Sequence, residues 1–539
     1  MRRSSVLTVA GVSCLLFGGT AVRLHPRFSP ALAASPQSAQ PAQAAAAESA
    51  ATPQAAQIQP VSATLTLTPK ATEPPALQPR SQLSLDLPFP AASATEIYTA
   101  KRGESIPAIA HQYLPRTAYL TSSELAQAIR QINGNLSRNI LKAGEQIVIP
   151  GVLSAPIVAK TIPVPKDFEV RAIYLTGLMA ASDHGLRIIR HWREVGGNAV
   201  VFDIKDSDGS VNIPFDYPLL GKHPVCIHDL PKFIHFLHSE NMHAIARIAI
   251  FRDQRMVVDH PELAVKSKKT GQPWRENGKL VWTDPSNPKV QAYDIALARF
   301  VAQSGADEIQ FDYVRFPAEG DQKDASFLFQ AEHPQWQRSN VITDFLKQAY
   351  AELHPTGVLL SLDVFGVMAW QRQVDLSHTG QDIVAMAKYC DVISPMIYPS
   401  HFFGMDNIPH PGDAPEHFIG ESMERFELIT HPDGNKSSGV VIRPWLQAFR
   451  WRTSTYSSDY IKVQVATARE KGGIGFLFWN AANDYSKPYE AMPEMRAADL
   501  SGGSKEKPKF FRGDELPGVT VKASLIPAPV PAPAEAASH

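Results

Sequence analysis

Residues 168 to 500 alternate short apolar runs with longer stretches in which apolar side chains return every three or four positions. Short runs bounded by turn residues predict strands, and the longer period predicts helices that bury one face. The strand candidates span 170–175, 198–204, 244–251, 308–312, 358–363, 392–396, 440–445 and 474–479. The fourth is the most informative. In A-D-E-I-Q-F-D-Y-V-R-F-P, at 306–317, Ile309 and Phe311 alternate with Gln310 and Asp312, and Pro317 stops the pairing. Val290, Tyr293, Leu297 and Phe300 make a helical stripe before it, and Val341, Phe345 and Ala349 make another after it. Eight such strand–helix units over 165–500 predict an α/β fold, a (β/α)8 barrel of the TIM type, whose chemistry sits at the carboxyl ends of the strands.

Upstream the pattern changes. Ile97 and Thr99 predict a short strand, 106–113 and 124–133 two helices, and 146–149 a closing strand, which together make a small βααβ domain over 96–150. Residues 34–95 are rich in Ala, Pro, Gln, Ser and Thr, and 501–539 end in Pro-Ala repeats. Neither stretch carries enough apolar surface to offset the entropy of ordering, so a disordered tether and a disordered tail are predicted. At the start, Arg2 and Arg3 precede an apolar run from Val6 to Val22 and small residues at 31–33, the pattern of a secretory signal over 1–33. An uncleaved anchor that would act as a membrane tether is the alternative. Either way the chain is expected to be exported, to a periplasm, a cell envelope or the medium.

Composition then narrows the classes. A formal net charge of −1 gives no electrostatic argument for nucleic acid, whose binding rests on basic surface. Cys14, Cys226 and Cys390 are the only cysteines, too few for a disulfide framework, so the fold must rest on a large apolar core. His228, His235, His238 and His243 spread over more than one face of a helix, which suits a solvated face better than a metal site. D-S-D-G-S at 206–210 lacks the acid that would close a calcium loop. No metal and no cofactor are predicted.

In a barrel alternate strand residues face the interior, so parity selects the side chains at the mouth. The second strand offers Asp203 and Lys205, the fourth Gln310 and Asp312, the fifth Ser361 and Asp363. Met396 and Tyr398 follow on the sixth, Arg443, Trp445 and Gln447 on the seventh, and Trp479 and Asn480 at the rim of the eighth. This mixture suits a sugar. Carboxylates act as acid, base or nucleophile at a glycosidic bond, rings stack on the C–H face of a pyranose, and Arg, Gln and Asn bond its hydroxyls. Asp312 and Asp363 end adjacent strands, about 4.8 Å apart, within reach of the ~5 to 9 Å that glycosidase carboxyl pairs span. They are the predicted catalytic pair, with Asp203, Lys205, Arg315, Tyr398, Arg443, Trp445, Trp479 and Asn480 as substrate-binding candidates. Structural roles stand beside these: Asp203 can pair with Lys205 or Arg247, Arg315 can serve Asp312, and the aromatics can be core.

Two resemblances sharpen the reading. I-Y-T-A-K-R-G-E-S-I-P-A-I-A-H-Q-Y, L-A-Q-A-I-R-Q-I-N and L-K-A-G-E-Q-I-V-I-P within 96–150 resemble a LysM module, apart from Ile106-Pro107 and an insert over 114–123. The resemblance implies binding of N-acetylglucosamine-containing glycans such as peptidoglycan through Gly103, Glu104, Ser105, Ile106, Ile132 and Asn133; a module kept only as a spacer is the alternative. L-T-G in the first strand, N-A-V-V-F-D-I-K-D in the second, D-E-I-Q-F-D-Y-V-R-F-P in the fourth, S-P-M-I-Y-P in the sixth and G-F-L-F-W-N in the eighth resemble the DUF4015 group of glycosidase-type barrels, related to the α-amylase clan. That resemblance implies a glycoside hydrolase with Asp312 at the nucleophile position. The clan carries a Glu acid on the fifth strand where this chain has Asp363. The expectation is an exported glycosidase acting on a polysaccharide or peptidoglycan; a non-catalytic glycan-binding barrel is the alternative.

Overall fold

The computed structural model describes residues 94–434, 439–500 and 510–511. The predicted signal segment, the tether up to residue 93 and nearly all of the tail therefore lie outside the described residues, while Ala94 and Thr95, predicted as tether, belong to a strand; among the described residues no helix is long and apolar enough to cross a membrane.

The eight predicted strands form one closed parallel barrel: Arg171–Leu175, Ala199–Lys205, His243–Ala249, Glu308–Asp312, Leu359–Phe365, Val392–Met396, Val441–Ile442 continued by Trp445–Gln447, and Phe476–Trp479. They pair in chain order, the fifth with the sixth and the eighth with the first, so no edge is left open. Pro444 interrupts the seventh strand because it has no N–H to give. Helices Asp183–Glu194, Leu230–Ser239, Pro288–Gln303, Arg338–Leu353, Pro415–Thr430, Ser458–Glu470 and Ser486–Leu500 wrap the outside. Only short helices, Gln373–Thr379 and Ile383–Met386, join the fifth strand to the sixth. Several helix starts are written in the sequence: Ser182, Asp229, Asn287 and Ser457 each accept a backbone N–H of the first turn. The apolar core between sheet and helices includes Phe202, Ile248, Phe311, Phe345 and Leu362. A separate cluster, Ala172, Tyr174, Val201, Ile245, Trp445 and Leu477, fills the barrel interior.

One strand breaks its predicted parity. Asp203 pairs with Arg247 but Lys205 pairs with Ile248, so an extra residue is inserted between them. Such a bulge turns the following side chain to the other face. Lys205 therefore leaves the barrel interior and meets helix Pro288–Gln303, where its ammonium lies 2.7 Å from Asp294 and 3.0 Å from Asp253.

The amino end of the barrel is closed by an ion network. Glu308, the first residue of the fourth strand, accepts from Arg443 at 2.8 and 3.0 Å and lies 3.2 Å from His243. His238 contacts Asp307 at 2.9 Å. His238 and His243 are buried in this floor, not spread on a solvated face. The segment ahead of the first strand packs beneath it, with Thr161 donating to Ala306 O at 2.8 Å and the Ile162 amide to Asp307 at 2.7 Å.

Residues 94–152 form the small βααβ domain: Ala94–Thr99 pairs antiparallel with Gln146–Val152, and Ile106–Tyr113 and Ser122–Ile132 lie between them. Ile106, Ile109, Leu125, Ile129, Ile147 and Ile149 make its own core. Contacts to the barrel come from the insert and the helix start that follows it. Lys232 donates to Leu114 O at 3.1 Å, Thr121 to Asp183 at 2.5 Å, and Arg190 to Glu124 at 2.9 Å.

Candidate active site

At the carboxyl ends of the strands, three carboxylates gather around one guanidinium. Arg247 of the third strand donates to Asp203 at 2.5 Å, to Asp312 at 2.6 Å through Nη2 and 3.2 Å through Nε, and its Nε lies 3.9 Å from Asp363. The Asp312 and Asp363 oxygens nearest that Nε are thus closer together than the sum of 3.2 and 3.9 Å. That limit falls inside the ~5 to 9 Å range of glycosidase pairs.

Asp312 is the most open of the three, with 11 % of its side chain exposed against 1 % for Asp363 and none for Asp203. Its other oxygen accepts the amide of Tyr313 at 2.6 Å. Tyr313 holds φ at 53°, a backbone region costly for any residue with a side chain and one that functional sites tolerate. The turn fixes the carboxylate at the strand end. Asp363 accepts from the Trp445 indole at 2.6 Å. Burial, and next the negative charge of Asp312, raise its carboxyl well above the ordinary range, against the opposing effects of Arg247 and Trp445. Asp203 takes a hydrogen bond from the Tyr174 hydroxyl at 2.5 Å. Burial above all, with Asp206 adding, pushes it up to about 7 even though Arg247 pulls the other way.

An aromatic wall stands over this cluster. The Trp479 ring lies 6.3 Å from Tyr174, 5.8 Å from Tyr398 and 5.3 Å from Phe449, centroid to centroid. On the other side, the Arg315 guanidinium is stacked 4.8 Å from Trp282 and 4.4 Å from Phe365. Asp203, Asp312, Asp363, Tyr398, Trp445 and Trp479 therefore share one mouth.

Three substrate-binding expectations fail on geometry. Lys205 points at the helices because of the bulge. Burial opposes its charge, but Asp294 and Asp253 more than offset that and hold it protonated. Arg443 is wholly buried in the floor against Glu308, at the opposite end of the barrel. Asn480 spends its amide on backbone, donating to Ala448 O just after the seventh strand at 2.6 Å and to Asp484 O at 2.8 Å, and accepting from Ala482 N at 2.8 Å. Arg247 and Tyr174 were missed as site residues. Their signal was present, since each shares parity with an inward residue two positions earlier, Ile245 and Ala172.

In the small domain, Gly103 is exposed at φ 80°, and Ile132 is half-buried. Glu104 is held by Tyr98 at 2.8 Å and the Lys101 amide at 2.7 Å, and Ser105 caps the first helix. Two candidates have structural roles. Ile106 is fully buried, and Asn133 is tied to Ile129 O at 2.7 Å and to both Val148 backbone groups at 2.9 Å. Among the described residues no group of three or more His, Cys, Asp or Glu is placed to hold a metal ion.

A family model described as "Putative glycosyl hydrolase domain", DUF4015, matches residues 172–485. Among solved structures, a hypothetical protein from Ruminiclostridium thermocellum ATCC 27405 is 36 % identical over 36 % of this chain and 97 % of its own, with a TM-score of 0.32. The PgaB (BpsB) glycoside hydrolase domain from Bordetella bronchiseptica is 14 % identical over 60 % of this chain and 99 % of its own, TM-score 0.45. The spore cortex-lytic enzyme SleL from Bacillus megaterium QM B1551 is 12 % identical over 74 % and 85 %, TM-score 0.36. No curated protein matches the chain.

Proposed function

The chain belongs to the DUF4015 family of glycosyl hydrolase domains, and from that premise we propose that it is an exported glycoside hydrolase that cleaves a polysaccharide or cell-wall glycan with two carboxyl groups, Asp312 and Asp363. The observation that carries this reading is their unequal environment. Asp312 is paired with Arg247 at 2.6 Å and reaches the mouth, while Asp363 is buried and its carboxyl is raised well above the ordinary range. Such a split supports one division of roles: the carboxyl that stays protonated gives its proton to the leaving oxygen, and the carboxylate attacks the anomeric carbon or activates water. With Oδ1 of Asp363 engaged by Trp445, the transferable proton belongs on Oδ2. Trp479, Tyr398 and Tyr174 supply the stacking faces for the sugar ring. The limit on the carboxyl separation spans both the retaining and the inverting distance, so the first-formed anomer, read by NMR, decides between nucleophile and base.

The LysM-like domain would hold the enzyme on N-acetylglucosamine-containing glycan, and export would bring it there. One observation favours a second reading, a non-catalytic glycan-binding barrel: Asp363 exposes only 1 % of its side chain, which leaves a leaving-group oxygen little access. Reducing-end release from peptidoglycan and from a panel of α- and β-glucans separates the two. Metal-independent release supports the hydrolase; binding throughout the panel with no release would leave only the binding protein. Residues 94–152 alone are expected to cosediment with insoluble peptidoglycan, and cosedimentation no better than that of the 34–95 linker removes the anchoring role.

A further inference from the structure

The rings at the mouth do not stop at Trp479. His401 lies 6.1 Å from Phe449, and Trp451 lies 4.9 Å from His401, so a line of rings leaves the carboxylates along the loops after the sixth and seventh strands. Its far end is a cation. The Arg452 guanidinium sits 4.6 Å from the ring centroid of Phe403 and 4.6 Å from that of Trp451. Arg452 and Phe403 are exposed, while Phe449, His401 and Trp451 are half-buried.

Arg452 is built into place. Its φ is 48°, a conformation in which a side chain is strained. The segment is packed closely: a Cβ on Gly412 would come within 2.0 Å of the Arg452 carbonyl oxygen. The next residues are pinned by Asp413, which accepts from Thr453 Oγ1 at 2.8 Å and Ser454 N at 2.7 Å. Strain kept at an exposed side chain points to a use for it. No ion pair among the described residues involves Arg452. His401 does not compete for an anion, because burial, and then the charge of Arg452, hold its imidazole down to about 4. With two rings against the guanidinium, at 4.6 Å each, and no ion pair on it among the described residues, its N–H edge is the part that suits a ligand, the fork that fits a carboxylate through two parallel bonds. A neutral sugar offers that edge only single hydroxyl acceptors, without the second charge and the parallel geometry that strengthen a carboxylate pair.

We propose that this line of rings is an extended glycan site ending at a carboxylate-binding arginine: sugars lie along Trp479 and Phe449, and Arg452 binds the carboxylate of a carboxyl-bearing sugar unit farther along the chain. The proposal rests on the glycosidase reading and deepens it, making the substrate an acidic polysaccharide held over several units and not a small neutral glycoside.

The test compares two forms of one probe: peptidoglycan glycan strands stripped of peptide, whose muramic acids carry free carboxylates, and the same strands with those groups converted to N-methyl amides. Binding is measured on the full chain carrying Asp312→Asn, so that the probe is not consumed. The acid strands should bind at least about 10-fold tighter, the scale of one charge-assisted pair. Arg452→Gln should abolish that preference while leaving the affinity for amidated strands unchanged, and Arg452→Lys should keep part of it. Equal binding of the two forms, which needs no substitution at Arg452 to observe, overturns the proposal, as does a preference that survives Arg452→Gln. Wild-type release from a neutral glucan without acid preference would sink the proposal and spare the glycosidase reading. Acid preference without release from any glycan would do the reverse.

Discussion

Replacing Asp312 by Asn is the perturbation on which the structure and the alternative readings disagree most. Were Asp312 the sole partner of a buried cation, neutralising it would strand that cation at a cost of about 3 to 5 kcal/mol. Arg247, however, is shared. It keeps Asp203 at 2.5 Å, and the Asn carbonyl can still accept one of its N–H groups where Asp312 Oδ2 accepts two. The expected loss of stability is therefore within about 1 kcal/mol, the ordinary scale of a near-isosteric change. The chemistry fares differently. Loss of the attacking or water-activating carboxylate should lower kcat at least ~100-fold, about 2.7 kcal/mol of transition-state stabilisation. A second signature follows from the charge of Asp312 being the next cause, after burial, of the raised Asp363 carboxyl. Without that charge Asp363 loses its proton more readily, so the alkaline limb of the residual kcat/KM profile should move to lower pH. Thermal melting, strand binding and reducing-end release across a pH series measure all three. A folded, glycan-binding variant with near-normal turnover refutes the catalytic assignment, and an alkaline limb that stays in place refutes the coupling to Asp363.

Trp445→Phe removes a 2.6 Å hydrogen bond that lowers the Asp363 carboxyl. The alkaline limb of the folded fraction should therefore shift upward in pH, while the cavity left by the smaller ring in the buried interior lowers the melting temperature; a downward shift of the limb would contradict the assignment of Asp363 as the acid. Glu308→Gln should cost about 3 to 5 kcal/mol at pH 7 by leaving Arg443 buried without its anion, with turnover of the folded fraction unchanged, because the floor is far from the mouth. Although burial opposes ionisation, Arg443 brings the Glu308 carboxyl to about 2. The stabilisation it gives is thus complete above the unfolded carboxylate range, near pH 4.5, and is lost as pH falls towards 2. Urea unfolding of wild type and variant over that window should show the gap closing in acid.

The strands were legible because the barrel repeats one simple pattern eight times, and each strand found lies within two residues of its predicted bounds. The site was legible only in part, and the failures share a cause. Parity tells which face a side chain takes but not how deep it lies. Arg443 and Trp445 have the same parity on the seventh strand, yet one layer separates a floor ion pair with Glu308 from a hydrogen bond to Asp363. Parity also assumes an unbroken count, and the bulge after Asp203 sends Lys205 to the helices. No residue type in Asp203-Ile204-Lys205 announces that bulge. Arg247 was visible as an arginine inside an apolar strand; a buried charge is expensive unless anions surround it, so its presence already required carboxylates nearby, and the structure supplies Asp203 and Asp312 from the two neighbouring strands and Asp363 from the strand beyond. The local rules give way at the bulge, at the buried arginine and at the positive φ of Tyr313, all against the same carboxylate cluster. Apolar packing alone gives no reason for these three departures to meet at one cluster. A site that must hold ionisable groups at fixed separations does, since each departure sets the position or the charge of Asp203, Asp312 or Asp363.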